Sequence, residues 1–197
     1  MGQRLVIQIE TNGIPLANAY YHWSGYTESA LALLEKVVEA ADWAQLTQLR
    51  SNVYKAVKIL ENTGAGVNDE EAAEIHKDNR FNGMSFKPAV SRDEGLICVT
   101  GQGMRSNRDW MEALATVDIA ERKIYFDVYV QTNIDDYEEW SGITAESLPH
   151  YDSSTFGTPF VIPFEKLGEF EALVERSPNG LYFSESNHGI SVIEWIA

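Results

Sequence analysis

Residues 5–23 constrain the fold most. Leu5, Ile7 and Ile9 alternate with their neighbours at the period of a strand. Thr11-Asn12-Gly13 then reads as a turn, and Asn-Gly at this point is a strong hairpin signal, because both residues tolerate the positive φ of a two-residue β-turn. The return strand is expected from about Pro15 to Trp23. Ser24-Gly25-Tyr26 breaks it, and Thr27 supplies a hydroxyl able to cap a helix.

Beyond the hairpin the period changes. Leu31, Leu34, Val37, Val38 and Ala41 fall at helical spacing, and Asp42 is read as the cap of a second helix with the stripe Leu46, Leu49, Val53, Val57 and Leu60. Two helices with so short a join predict an αα-hairpin lying on a sheet. Thr63-Gly64-Ala65-Gly66 ends the second helix. Asn68 and Glu71 have the spacing of a capping box that opens a short polar helix ending near His76.

Residues 78–95 are rich in breakers and read as an irregular excursion. Gly95 to Thr100 reads as a buried strand, and Ser106 to Leu114 as a short helix carrying Trp110. Strands follow at Thr116–Ala120 and Ile124–Val130, with Ile124, Phe126, Val128 and Val130 on one face. A strand at Phe160–Ile162, a helix through Leu167, Phe170, Leu173 and Val174, and a closing hairpin around Asn187-His188-Gly189 complete the pattern. Elements are grouped rather than alternating. The expected fold is a single α+β domain over residues 1–197, with a mainly antiparallel sheet and the αα-hairpin packed on one face.

Charge narrows the function. Asp+Glu 30 against Lys+Arg 15 gives −15, which repels phosphate backbones and anionic membranes and disfavours direct nucleic-acid binding. With 44% hydrophobic residues a proper core is available, so disorder is excluded. One cysteine removes disulfide frameworks and Cys-rich zinc modules, and Cys98 within Leu96-Ile97-Cys98-Val99 reads as a small buried hydrophobe. No apolar run approaches the roughly 18 residues of a membrane span. Gly2 lacks the downstream Ser or Thr of a myristoylation signal, and the first residues lack a secretory pattern, so cytoplasmic residence is expected.

The densest chemistry is Tyr20-Tyr21-His22-Trp23-Ser24-Gly25-Tyr26-Thr27, at a strand-to-helix junction. Tyr21 and Trp23 point one way along a strand and Tyr20 and His22 the other, so one set can enter the core while the other lines a groove. Aromatic faces beside the unsatisfied N–H groups of a helix start suit a nucleotide-like ligand, the base stacking and the phosphate capping the helix. The competing reading is plain packing and capping. Arg92, in Arg92-Asp93-Glu94-Gly95, can clamp a phosphate or carboxylate, or instead pair with a neighbouring acid. Arg4, Arg80, Arg105 and Arg108 are weaker versions of the same idea. The candidate ligand-binding set is therefore Tyr21, His22, Trp23, Ser24, Tyr26, Thr27 and Arg92.

No cofactor, metal or catalytic residue is expected. His22, His76, His150 and His188 are scattered, while Glu70, Glu71, Glu74 and His76 read as the solvated face of one short helix. Asp135-Asp136 with Glu138-Glu139 matches no EF-hand spacing. No G-x-S-x-G is present, and the two Gly-x-Gly pairs are not dinucleotide fingerprints.

Met1-Gly2-Gln3-Arg4-Leu5-Val6-Ile7 and Leu16-Ala17-Asn18-Ala19-Tyr20 through Thr27, with Thr63-Gly64-Ala65-Gly66 and Arg92-Asp93-Glu94-Gly95-Leu96-Ile97, resemble a group of uncharacterised proteins carried by bacteria and their phages. The resemblance spans about the first half of the chain and brings no assigned activity. It implies a setting: a small, soluble, cytoplasmic protein of phage or prophage origin, where acidic proteins act against host defence by trapping a nucleotide signal or mimicking DNA.

Three readings stay open. The first is a non-enzymatic protein that sequesters a small anionic nucleotide-like ligand. The second is an acidic protein-interaction module, a DNA mimic or inhibitor of a basic host protein, making contact through residues 131–158. The third is a small-substrate hydrolase with His22 or His188 as base. A two-fold homodimer would bury an exposed aromatic patch.

Overall fold

Asn12 and Gly13 both take positive φ, 50° and 75°, as a tight hairpin turn requires. They join β1 (Leu5–Thr11) to β2 (Ile14–Tyr21). The ladder slips between Ile9 and Glu10, leaving Leu16 as the extra residue of a bulge beside Pro15, which has no N–H to give. The computed structural model describes residues 4–25, 27–46, 51–99, 113–128 and 160–169.

After the hairpin come α1 (Thr27–Leu46), α2 (Asn52–Asn62), β3 (Gly66–Val67), α3 (Asp69–Lys77), β4 (Leu96–Cys98), β5 (Ala113–Asp118), β6 (Lys123–Val128) and β7 (Phe160–Pro163). The seven strands of the described residues form one sheet in the order β3-β4-β2-β1-β5-β6-β7. The fold is α+β, but the sheet is mixed rather than mainly antiparallel. β1 runs parallel to β5, and β3 parallel to β4. Strands joined by a tight turn must reverse direction, and β1/β2 and β5/β6 do so. The parallel pairs are made by strands separated by long connections, whose direction no local residue encodes.

Two further expectations are corrected. Asp42 does not cap a second helix, because α1 continues through it to Leu46 and its side chain pairs with Arg122. The cap of α2 is Ser51, whose Oγ accepts from Tyr54 N at 3.1 Å. Ala113 and Leu114 belong to β5, not to a helix, while residues 106–112 of that expected helix, the 181–196 hairpin and the acidic stretch 131–158 lie outside the described residues. The capping reading of Asn68 holds, its Oδ1 accepting from Glu71 N at 2.7 Å.

Register sorts the side chains into two contrasting faces. One row across β4, β2, β1, β5 and β6 is Ile97, Ala19, Ile7, Ala115 and Phe126, all buried. Large and small residues alternate along it, so the alanines of β2 leave a trough, and α2 packs against β2. Buried positions of α1 (Leu31, Leu34, Val37) and α2 (Val57, Leu60) complete the same core. One residue away, on the opposite face, the row is Cys98, Asn18, Gln8, Thr116 and Tyr125, polar or weakly polar throughout.

Asp118 stitches the far end of this sheet. Only 2% exposed, it accepts from Ala120 N (2.8 Å), Glu121 N (3.0 Å) and Gly13 N (3.2 Å), joining the β5–β6 turn to the β1–β2 turn. Burial alone would raise its pKa, but backbone N–H groups of Glu121, Ala120, Gly13 and Asn12 outweigh that and hold it below the ordinary value. Glu10 next to it moves the other way. Burial raises its pKa against the opposing Gln8 bond, and the Asp118 and Glu121 carboxylates add to the rise.

These two carboxyls give opposite linkage. The depressed Asp118 stabilises the fold above its unfolded value of about 3.9, and that contribution vanishes as pH falls through its lower folded value. The raised Glu10 favours the fold below about 4.3 and loses that contribution as pH rises through its folded value. Asp118→Asn is therefore expected to cost about 2 kcal/mol at pH 7, with the gap to wild type closing in acid. Glu10→Gln is expected to raise the melting temperature at pH 7 and leave it unchanged in acid. Thermal melts from pH 2.5 to 7 read both.

Candidate functional site

Three segments singled out in the sequence meet at one joint. Tyr21, at the end of β2, is 1% exposed, and its hydroxyl lies 2.7 Å from Thr63 Oγ1. Thr63 caps α2 and donates that same hydroxyl's proton to Leu60 O at 2.6 Å, so the Tyr21 O–H donates to Thr63. Burial raises the Tyr21 pKa far beyond the ordinary range, the Thr63 bond opposing only part of it. Gly95 closes the joint from above with φ +113°, and a Cβ there would stand 2.6 Å from the Tyr21 ring and 2.7 Å from Ala65 Cβ. Gly66 N donates to Gly95 O at 3.1 Å, and a Cβ on Gly66 would sit 2.4 Å from Pro88 O. Gly66 and Gly95 are thus required by the close approach of backbone and ring.

That placement divides the candidate residues. Tyr21 belongs to the core and supports the surface from beneath. Tyr20 and His22 take the opposite face, with Tyr20 Oη 2.6 Å from His22 Nδ1. Trp23, just past the strand, is 50% exposed and meets the His22 ring edge-on at 4.7 Å between centroids. Ser24 is half-buried beside them. Tyr26 and the side chain of Thr27 lie outside the described residues, and α1 starts at Thr27 itself. Arg92 stands exposed on the turn entering β4 and makes no ion pair among the described residues. Because Gly95 lies against Tyr21, that turn sits at the same end of the β2–β4 ladder as His22 and Trp23. Arg80, by contrast, is committed to Asp78, and Arg105 and Arg108 lie outside the described residues.

Residues the motif reading passed over line the same face. Tyr20 is the ring that carries His22, and strand alternation alone pointed to it. Glu71 is not on a solvated face: it is 9% exposed, and its carboxylate accepts from Val99 N at 2.7 Å and from Cys98 Sγ at 3.4 Å. Cys98 is buried as expected, but as a hydrogen-bonded thiol rather than a plain hydrophobe. Only the long-range fold brings α3 to the end of β4, so no local spacing announces this contact.

An open groove of about 540 Å³ lies elsewhere, lined by Glu39, Ala40, Lys58, Glu61, Asn62 and Lys87. Its polar groups mostly serve each other. Lys58 Nζ donates to Glu61 (2.6 Å) and Ser85 O (2.9 Å), and Lys87 Nζ to Gly64 O (2.6 Å). Among the described residues no cluster of three or more His, Cys, Asp or Glu is arranged to hold a metal ion, and no helix is long and apolar enough to cross a membrane. No protein-family model, curated protein or solved structure matches the chain.

The joint makes a direct prediction. Tyr21→Phe removes one buried hydrogen bond and is expected to cost about 1 kcal/mol. Gly95→Ala adds both a clash and a strained φ and is expected to cost about 3 kcal/mol or more. Urea denaturation of the two variants measures the difference, and a Gly95→Ala cost no larger than that of Tyr21→Phe would contradict the tight approach.

Proposed function

We propose that the protein is a non-enzymatic binder that sequesters a small, anionic, nucleotide-like ligand, acting in the cytoplasm as a phage-type counter-defence protein. One observation carries the reading: the Tyr20–His22–Trp23 rings and the exposed Arg92, which makes no ion pair among the described residues, share one end of the β2–β4 ladder. The rings offer a stacking surface, and an exposed arginine beside them offers bidentate contact to a phosphate. α1 starting at Thr27 adds N–H donors and a positive dipole end to the same corner. The net charge of −15 does not oppose this, since distant charges are screened beyond about 8–10 Å while short hydrogen bonds are not. We further read α1 and α2, which pack together, as an αα-hairpin over the apolar sheet face.

A thermal-shift and calorimetry screen against cyclic and ADP-ribose-type nucleotides tests this. Binding of at least one, weakened tenfold or more by Trp23→Ala and by Arg92→Ala with the fold intact, is the expected result. No shift with any nucleotide, together with salt-sensitive capture of a basic protein, would favour the acidic-module reading instead. Ligand recovered chemically altered would favour the hydrolase.

A further inference from the structure

Asn18 lies at the centre of the polar face. It is paired with Gln8 of β1 on one side and Cys98 of β4 on the other, so the three side chains stand in one row. It is only 9% exposed, and its Oδ1 has no hydrogen-bond partner among the described residues. A buried acceptor left empty is costly and calls for a donor. Donors on the flanking strands, among the described residues, are engaged elsewhere. Gln8 Nε2 turns to Glu10 Oε2 at 3.3 Å, Cys98 Sγ donates to Glu71 Oε2, and Val99 N donates to Glu71 Oε1.

We propose that Asn18 Oδ1 is the anchoring acceptor for an amino group on the ligand's base, with Asn18, Cys98 and Glu71 forming the base end of the nucleotide site. The inference rests on the nucleotide-binding reading and deepens it. The Glu71 carboxylate beside Cys98 favours a donor-bearing group and repels phosphate, which fixes the ligand's direction. From Asn18 the strip runs past Tyr20 to His22, four residues or about 13 Å at a strand's rise, to the corner where Trp23 and Arg92 stand. Base amine, rings and phosphate partner thus follow one another along β2. An asparagine amide can both accept from an amine and donate to an adjacent ring nitrogen, so it reads an amino-bearing purine edge and rejects a base with a carbonyl there.

The test uses the full chain and three probes: adenosine, guanosine and inosine 5′-monophosphate, titrated by calorimetry. The first two carry an exocyclic amine and inosine carries none. At least one amino-bearing nucleotide is expected to bind tenfold or more tightly than inosine monophosphate. Asn18→Leu, close in volume, is expected to abolish the preference, so that the amino-bearing nucleotide and inosine monophosphate bind with equal affinity. Equal affinity of all three for the unaltered protein, still sensitive to Arg92→Ala, overturns the Asn18 assignment and leaves the nucleotide reading standing. Unchanged preference in a folded Asn18→Leu variant overturns it as well and makes Oδ1 the acceptor of a buried water only. If none of the three binds and the wider nucleotide screen is also negative, the nucleotide reading fails and this inference falls with it.

Discussion

The structure depends on how closely β2, α2 and the turn into β4 approach one another around Tyr21. The ring fills the space under Gly95, and the hydroxyl finishes a chain of hydrogen bonds through Thr63 to the last turn of α2. Ring and hydroxyl act together. The ring excludes water from the joint, and in that dry setting the hydroxyl must find a protein partner. Because one glycine has no side chain and the other accepts an unusual φ, three backbone segments can meet where an ordinary residue would hold them apart. The orientation of Tyr20 and His22 on the opposite face follows from this burial, since alternation along a strand allows nothing else.

Carboxylates do similar work elsewhere. In a chain with twice as many acids as bases, several of the described ones serve as backbone acceptors where regular pairing ends. Glu71 takes the N–H that follows β4, Asp118 gathers the turns at the far end of the sheet, and Glu61 accepts from Lys87 N at 2.5 Å while pairing with Lys58. Each replaces water at a point where regular pairing runs out. The acidity is therefore partly architectural. A count of charges could not separate these from the solvated acids of the helix surfaces.

What the sequence made legible was local. The Asn12-Gly13 turn, the stripe of α2 and the Asn68 cap are set by residues adjacent in the chain, and all three were readable there. The direction of β5 relative to β1 was not, and neither was the contact of Glu71 with β4, because both depend on segments brought together only by the whole fold. The break expected at Asp42 failed for a different reason. A cap-forming residue can sit inside a helix when strong helix formers surround it and a partner, here Arg122, takes its charge. At the candidate site, the aromatic run was visible, but which of its two faces would be buried was not. Tyr21 is the ring the core takes, and Tyr20 the one left beside His22 on the polar face.

The place of β1 has a bearing on how the chain comes to be folded. It is an inner strand, bonded on one edge to the segment that follows at once and on the other to β5, more than a hundred residues later. During synthesis the first pairing can form within moments, while the second edge must wait for most of the polypeptide to emerge. Until then Leu5, Ile7 and Ile9 are held in an extended ribbon with one row of amide and carbonyl groups open, the arrangement that recruits stray strands. The uneven positions Gln8, Glu10 and the Leu16 bulge are the features that keep this ribbon from acting as a clean template. A mutation that smooths them would be felt first as lost yield in the cell, before any change in the finished molecule.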